Sequence, residues 1–221
     1  MNSKQLCFIS CVSDSEQYEQ ALHYQRNLHV PDGFTIEWIS IGQAESMTSG
    51  YNSAMKRSEA KYKVYVHQDV YIIHPYFLDD LILLFENNEQ LGMVGVAGAT
   101  TIPANGIWWE SPYLYGKVYS SHSGRMHPLE FRPIQQAYER VRAIDGLIMA
   151  TQIDLPWRED LFTGWHFYDT SQSMEMLKAG YEVGVWNQPA PWCIHDCGIA
   201  NLEGYEQYRQ LFIEHYGSYL S

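Results

Sequence analysis

The chain has 221 residues, of which 46% are hydrophobic and 14% aromatic, and its formal net charge is −12 at pH 7. That length and apolar content suit one well-packed domain spanning residues 1–221. The acidity argues against nucleic acid or an anionic bilayer as a partner, though a local site could still hold a phosphorylated small molecule.

Residues 1–6 lack the basic segment and apolar core of a signal peptide, and no run approaches the ~20 apolar residues of a spanning helix. The expectation is a soluble, cytoplasmic protein with no transmembrane segment. Residues 6–12 read as a buried strand, in which Cys7 and Cys11 behave as small hydrophobes. Ser13-Asp14-Ser15-Glu16 then offers a capped helix start, and Tyr18, Ala21, Leu22 and Leu28 recur at helical spacing. Pro31-Asp32-Gly33 turns the chain into a second strand over residues 34–41, which Gly42 ends. Met47, Tyr51, Ala54, Met55 and Ser58 fall on one helical face behind a cap at Ser46 or Thr48.

The run Lys63-Val64-Tyr65-Val66-His67-Gln68-Asp69-Val70 is an apolar third strand that presents two metal-ligand types at its far end. In a strand, His67 and Asp69 share a face. Polar residues closing an apolar strand mark the crevice where open α/β sheets bind ligands. The same pair would equally suit a hydrogen-bonded strand-end histidine and a helix-capping aspartate. Pro75 suits the first turn of a helix carrying Phe77, Leu78, Leu81, Ile82, Leu84 and Phe85, and residues 92–98 make a fourth strand. This alternation predicts a mostly parallel central sheet flanked by helices.

From about Thr101 to Arg142 the rhythm breaks into an aromatic-rich insertion or hairpin containing Trp108, Trp109, Tyr113, Tyr115 and Tyr119, with a helix expected near Gln135 to Arg142. Residues 143–151 are a turn feeding a buried strand. Residues 164–169 lead into a helix through Met174, Glu175 and Leu177, closed by Gly180 at C′. A short strand over residues 181–186, the Pro189-Ala190-Pro191 stretch, Cys193-Ile194-His195-Asp196-Cys197 and a C-terminal helix over residues 204–216 complete the pattern.

Four features in chain order resemble a glycosyltransferase of the A-type, Rossmann-like fold, specifically the family 2-like enzymes that use nucleotide sugars. They are the first strand opening into a capped loop, the strand ending in His67-Gln68-Asp69, the helix start at Tyr168-Asp169, and His195 after a short strand. The resemblance implies a nucleotide-sugar-binding half over residues 1–99 and an acceptor-side half over residues 100–221. It implies a nucleotide diphosphate sugar as donor, with a uridine diphosphate sugar the first expectation, and a glycan or small-molecule hydroxyl as acceptor. Donor-binding roles then fall to Cys11, Val12, Ser13, Asn52, His67 and Gln68. Asp145, Gly146 and Trp165 would meet the acceptor.

Departure of a nucleoside diphosphate needs a divalent cation, Mn2+ or Mg2+, for which the resemblance assigns Asp69 and His195. It makes Asp169 the catalytic base of an inverting transfer, although an aspartate at a helix start also serves as a cap. His67 stands where the family usually has a second carboxylate, and Ile41-Gly42-Gln43-Ala44 lacks the acidic residues that commonly follow the second strand. Two alternatives are an inactive nucleotide- or sugar-binding module on the same fold and a structural zinc protein using Cys193, His195 and Cys197.

Overall fold

A computed structural model describes residues 1–199 and 201–221. In chain order it contains β1 (Asn2–Val12), α1 (Ser15–Arg26), β2 (Thr35–Gly42), α2 (Met47–Arg57), β3 (Ala60–Val66), β4 (Val70–Ile72), α3 (Phe77–Asn87), β5 (Leu91–Gly95) and β6 (Ala97–Ala99). A single 3-10 turn (Trp108–Glu110) leads to β7 (Leu114–Ser120), β8 (His127–Glu130), β9 (Tyr138–Arg140), β10 (Ala143–Ile144) and β11 (Ile148–Thr151). Then come α4 (Tyr168–Lys178), β12 (Glu182–Trp186), β13 (Cys193–His195) and α5 (Tyr205–Tyr216). Among the described residues no helix is long and apolar enough to cross a membrane.

The larger sheet has the order β2-β1-β3-β11-β5-β12-β9. Five of its strands point one way; β11 runs against β3 and β5, and β9 against β12. The sheet is therefore mostly parallel in direction, and strands from both halves of the chain interleave in it. Period-2 alternation divides its two faces. On β1, Leu6 and Phe8 join a core with Val64, Val66 and the apolar face of α3, while Cys7, Ile9 and Cys11 join another with Tyr51 of α2 and Tyr168 and Met176 of α4. A second sheet has the order β10-β6-β7-β13-β4 with β8 on β7, and its strands β4 and β6 follow the carboxyl ends of β3 and β5 in the chain.

Local chemistry starts α1 and α2 where the sequence predicts. The Asp14 carboxylate accepts from the backbone N–H groups of Glu16 and Gln17 at 3.0 and 3.1 Å, and Ser46 forms a reciprocal capping box with Ser49. Gly180, at φ +88°, follows the C-terminus of α4 in the left-handed conformation that glycine adopts without strain.

Four expectations need correction. The third strand stops at Val66, and His67-Gln68-Asp69 is a turn closed by a 3.3 Å bond from Val70 N–H to the His67 carbonyl, after which β4 joins the other sheet. Residues 92–98 are likewise two strands, β5 and β6, in different sheets. The helix expected near residues 135–142 is instead β9. It pairs with the sheet edge at β12, where Glu182 accepts from Tyr138 Oη at 2.6 Å and pairs with Arg140 Nε at 2.8 Å; tertiary pairing outweighs local helix preference. Pro75 lies one residue before the α3 cap at Tyr76, outside the helix.

One ion pair crosses the core. Lys63, 0% exposed in β3, donates to the Ala60 carbonyl at 2.6 Å and to the carboxylate of Asp154 at 2.9 Å. Asp154→Ala leaves that ammonium buried without its counter-charge. The expected destabilisation is about 2–3 kcal/mol, below the ~3–5 of a fully buried pair because Asp154 is 30% exposed. Chemical denaturation measures it, and the added change Lys63→Met should recover most of the loss.

Candidate active site

Backbone pairing, more than any local motif, assembles the site. The turn after β3 is tied to the turn between β10 and β11 by a 3.1 Å bond from His67 N–H to the Leu147 carbonyl. β13 runs antiparallel to β4 with His195 opposite Val70, and the Asp196 N–H donates to the Asp69 carbonyl at 2.9 Å. Those contacts bring His67, Asp69, Asp145 and His195 together at the start of α4, in the crevice beyond the carboxyl ends of the parallel strands.

Asp69 is the centre of the group. Its Oδ1 lies 3.8 Å from His67 Nδ1 and 3.6 Å from His195 Nε2, and one ligand atom from each residue falls within 4.8 Å of the others. That Oδ1 is buried and has no hydrogen-bond partner. An orphaned buried carboxylate oxygen is costly, and a cation between the three side chains would satisfy it, so the donor set fits a divalent metal. Tyr168 Oη contacts His67 Nε2, leaving Nδ1 on the Asp69 side. Burial lowers the proton affinity of His67, with Asp69 opposing. Burial also works against protonated His195, yet the interactions with Cys197, Asp69 and Asp145 prevail and raise it to about 9.

The zinc set of Cys193, His195 and Cys197 is not assembled. Cys193 is fully buried in the apolar core beside Trp186 and Trp192, and among the described residues the metal-competent group is His67, Asp69 and His195.

Asp169 is the second residue of α4, not its cap. The N-cap position belongs to Phe167, which sits at φ +61° in the left-handed region that non-glycine residues rarely adopt, wedged against Tyr205 and Phe212. Asp169 Oδ2 accepts from Gly146 N–H at 3.1 Å, and Oδ1 accepts from Thr170 N–H at 2.7 Å. Burial raises the carboxyl, Asp145 adds to that, and these outweigh the hydrogen bonds; the resulting pKa is about 7.

Gly146 is buried and does not line the cavity expected of an acceptor residue. Its parts are the N–H given to Asp169 and the absence of a side chain, since a Cβ there would collide with the Tyr168 ring and its Oη. Gly146→Ala is expected to push the Tyr168 ring off His67 and to destabilise the fold by about 1–3 kcal/mol, read by denaturant titration.

Two neighbouring cavities receive most of the remaining candidates. One, of about 480 Å³, is lined by His67, Asp69, Asp145, Asp169 and His195, with Trp109 and Trp165 about half exposed at its wall. The other, of about 560 Å³, lies at the ends of β1 and β2 and is lined by Cys11, Val12, Ser13 and Gln43. Trp165 borders both. No lysine or arginine lines either among the described residues.

Asn52 and Gln68 are placed differently from the expectation. Asn52 is buried, and its amide is taken up by the backbone of Trp157 through two 2.9 Å bonds. Gln68 braces the β1–α1 loop, its Oε1 accepting from the N–H groups of Ser13 and Asp14 at 2.8 and 2.9 Å. Sequence reasoning gave no role to Tyr168; its position immediately before Asp169 was the available signal.

A family model described as a glycosyltransferase-like family matches residues 7–216. A search of curated proteins finds no match. Among solved structures, TarS 1–349 of S. aureus in complex with UDP superposes with a TM-score of 0.56 at 12% identity, covering 94% of this chain and 64% of that one. The same protein in complex with UDP-GlcNAc gives 0.56 at 10% identity, with 90% and 60% coverage. The mannosyltransferase PcManGT of Pyrobaculum calidifontis, in complex with GDP-Man and Mn2+, gives 0.59 at 9% identity, with 99% and 64% coverage. The chain thus spans less than two thirds of these structures while sharing their fold.

Proposed function

The chain belongs to the glycosyltransferase-like family, and from that premise we propose that it transfers a sugar from a nucleotide diphosphate sugar to an acceptor hydroxyl with inversion at the anomeric carbon. The observation that carries this reading is one cavity wall holding Asp169, with a pKa of about 7, beside the His67, Asp69 and His195 group with its orphaned carboxylate oxygen.

The Asp169 carboxylate takes the proton of the acceptor hydroxyl as that oxygen bonds to the anomeric carbon and the bond to the diphosphate breaks. A proton affinity near neutral pH suits this task, because the group is substantially ionised yet still basic. The bonds from Gly146 and Thr170 fix the carboxylate's direction. When bound by His67, Asp69 and His195, a divalent cation supplies the positive charge that a departing diphosphate requires. Among the described residues no lysine or arginine lines either cavity, and His195 is the side chain there that carries positive charge without a metal; with a metal bound it serves as a ligand instead. The cavity at Cys11, Val12 and Ser13 is assigned to the nucleotide, and Trp165, between the cavities, to the transferred sugar and the acceptor.

The neighbouring structures hold UDP, UDP-GlcNAc and GDP-Man, so uridine and guanosine diphosphates and their sugars are the donors to screen, uridine first. Thermal shift with and without Mn2+ should show metal-dependent stabilisation, since ligands of the native state raise its apparent stability. Slow release of nucleoside diphosphate from the stabilising donor, without acceptor, would mark a competent site. Stabilisation without release supports the binding-module reading instead, and no stabilisation by any nucleotide overturns the donor assignment.

A further inference from the structure

The metal-ligand group offers two imidazoles and one carboxylate. Mg2+ favours oxygen donors and near-ideal octahedral geometry, keeping several waters, and gains little from imidazole nitrogen. Imidazole suits later first-row divalent ions, whose affinity for a nitrogen-containing site rises from Mn2+ through Co2+. The geometry already orders the nitrogens for this. Tyr168 Oη engages His67 Nε2, which directs Nδ1 to the Asp69 side, and the β4–β13 pairing holds His195 Nε2 3.6 Å from Asp69 Oδ1. A hydrogen-bond partner on the far ring nitrogen is how metal-binding histidines are oriented.

We infer that His67, Asp69 and His195, with Tyr168 as a positioning residue for His67, form a nitrogen-rich site that takes Co2+ or Zn2+ in preference to Mg2+, with Mn2+ between them. The inference rests on the proposed metal site and deepens it. The residue responsible is His67: a carboxylate there would make the set oxygen-rich and open it to Mg2+.

Calorimetric titration of the metal-free protein with Mg2+, Mn2+, Co2+ and Zn2+ tests this without any turnover, and the absorption spectrum of the Co2+ form reports nitrogen ligation. The wild type should bind one Co2+ at least ~100-fold more tightly than Mg2+. His67→Asp should reduce that ratio by at least tenfold. Tyr168→Phe should weaken Co2+ by ~10- to 100-fold, the usual effect of losing an outer partner. A purely structural part for Tyr168 would lower the melting temperature and leave the Co2+ to Mg2+ ratio unchanged. The exposed His122 and half-buried His127 rings, 5.0 Å apart, are a second place for a late metal to settle. His122→Asn removes that competitor, and the high-affinity event should survive it.

Equal binding of Mg2+ and Co2+ by the wild type overturns the selectivity while leaving a metal site. So does an unchanged ratio in folded His67→Asp. Failure of all four ions to bind overturns the metal reading as well. The wild-type series alone decides if either variant does not fold.

Discussion

Asp169→Asn is expected to lower sugar transfer by ~10²- to 10⁴-fold while donor affinity stays near the wild-type value, the signature of losing a general base. The carboxylate lies on the wall of the cavity shared with His67, Asp69 and His195, and burial beside Asp145 raises its pKa to about 7. Asparagine matches its shape but cannot take a proton. It also keeps only one of the two backbone bonds: an amide oxygen can accept from Thr170 N–H, but the amide nitrogen then meets the Gly146 N–H. That loss is worth about 1 kcal/mol.

The opposing effect depends on pH. The native carboxyl titrates at about 7 and the unfolded one near its ordinary value of 3.8, so between those limits the native state binds the extra proton and wild-type stability falls as pH rises. Asparagine escapes that fall. Its melting temperature should therefore be below wild type at pH 4 and gain on it steadily up to pH 8, while the wild-type kcat/KM profile shows an acidic limb near pH 7. Near-normal transfer by the variant would remove Asp169 from the chemistry and make Asp145, on the same wall, the next base to test.

Much of the framework was legible because it is built from local signals. The apolar run over residues 6–12, the caps at Asp14 and Ser46 and the glycine at position 180 each act within a few residues, and the structure uses all of them. What escaped was set by partners distant in sequence. Residues 135–142 carry no strand signal strong enough to announce β9, which exists because the β12 edge needs pairing. His67 and Asp69 were placed on one face by strand periodicity, yet they converge through a turn and through the β4–β13 pairing, so the juxtaposition held for a different reason. Asn52 and Gln68 have the polar character of donor ligands, but Trp157 and the β1–α1 loop consume their amides. Side-chain type suggested binding; only tertiary structure shows which hydrogen-bonding groups are already spent.

Asp69→Asn should reduce divalent-metal affinity by more than ~100-fold, a larger effect than the ~10- to 100-fold expected when an outer partner of a ligand is lost. Asp69 Oδ1 is the buried atom that approaches both imidazoles, and it lacks any hydrogen bond that would compete with a cation. The amide retains the volume but not the charge. The fold should be little affected in chelator, because the Asp69 carbonyl that receives the Asp196 N–H belongs to the backbone. Nucleotide binding supplies the second readout. With no lysine or arginine lining either cavity among the described residues, a nucleoside diphosphate in the variant faces Asp145 and Asp169 with His195 as the remaining side chain to offset its charge, so its affinity should fall and cease to respond to metal. Unchanged metal titration in a folded variant would exclude Asp69 as a ligand. Unchanged metal titration together with unchanged nucleotide affinity would require the diphosphate to be neutralised elsewhere, for which the His195 imidazole, on the same cavity wall, is the next group to test.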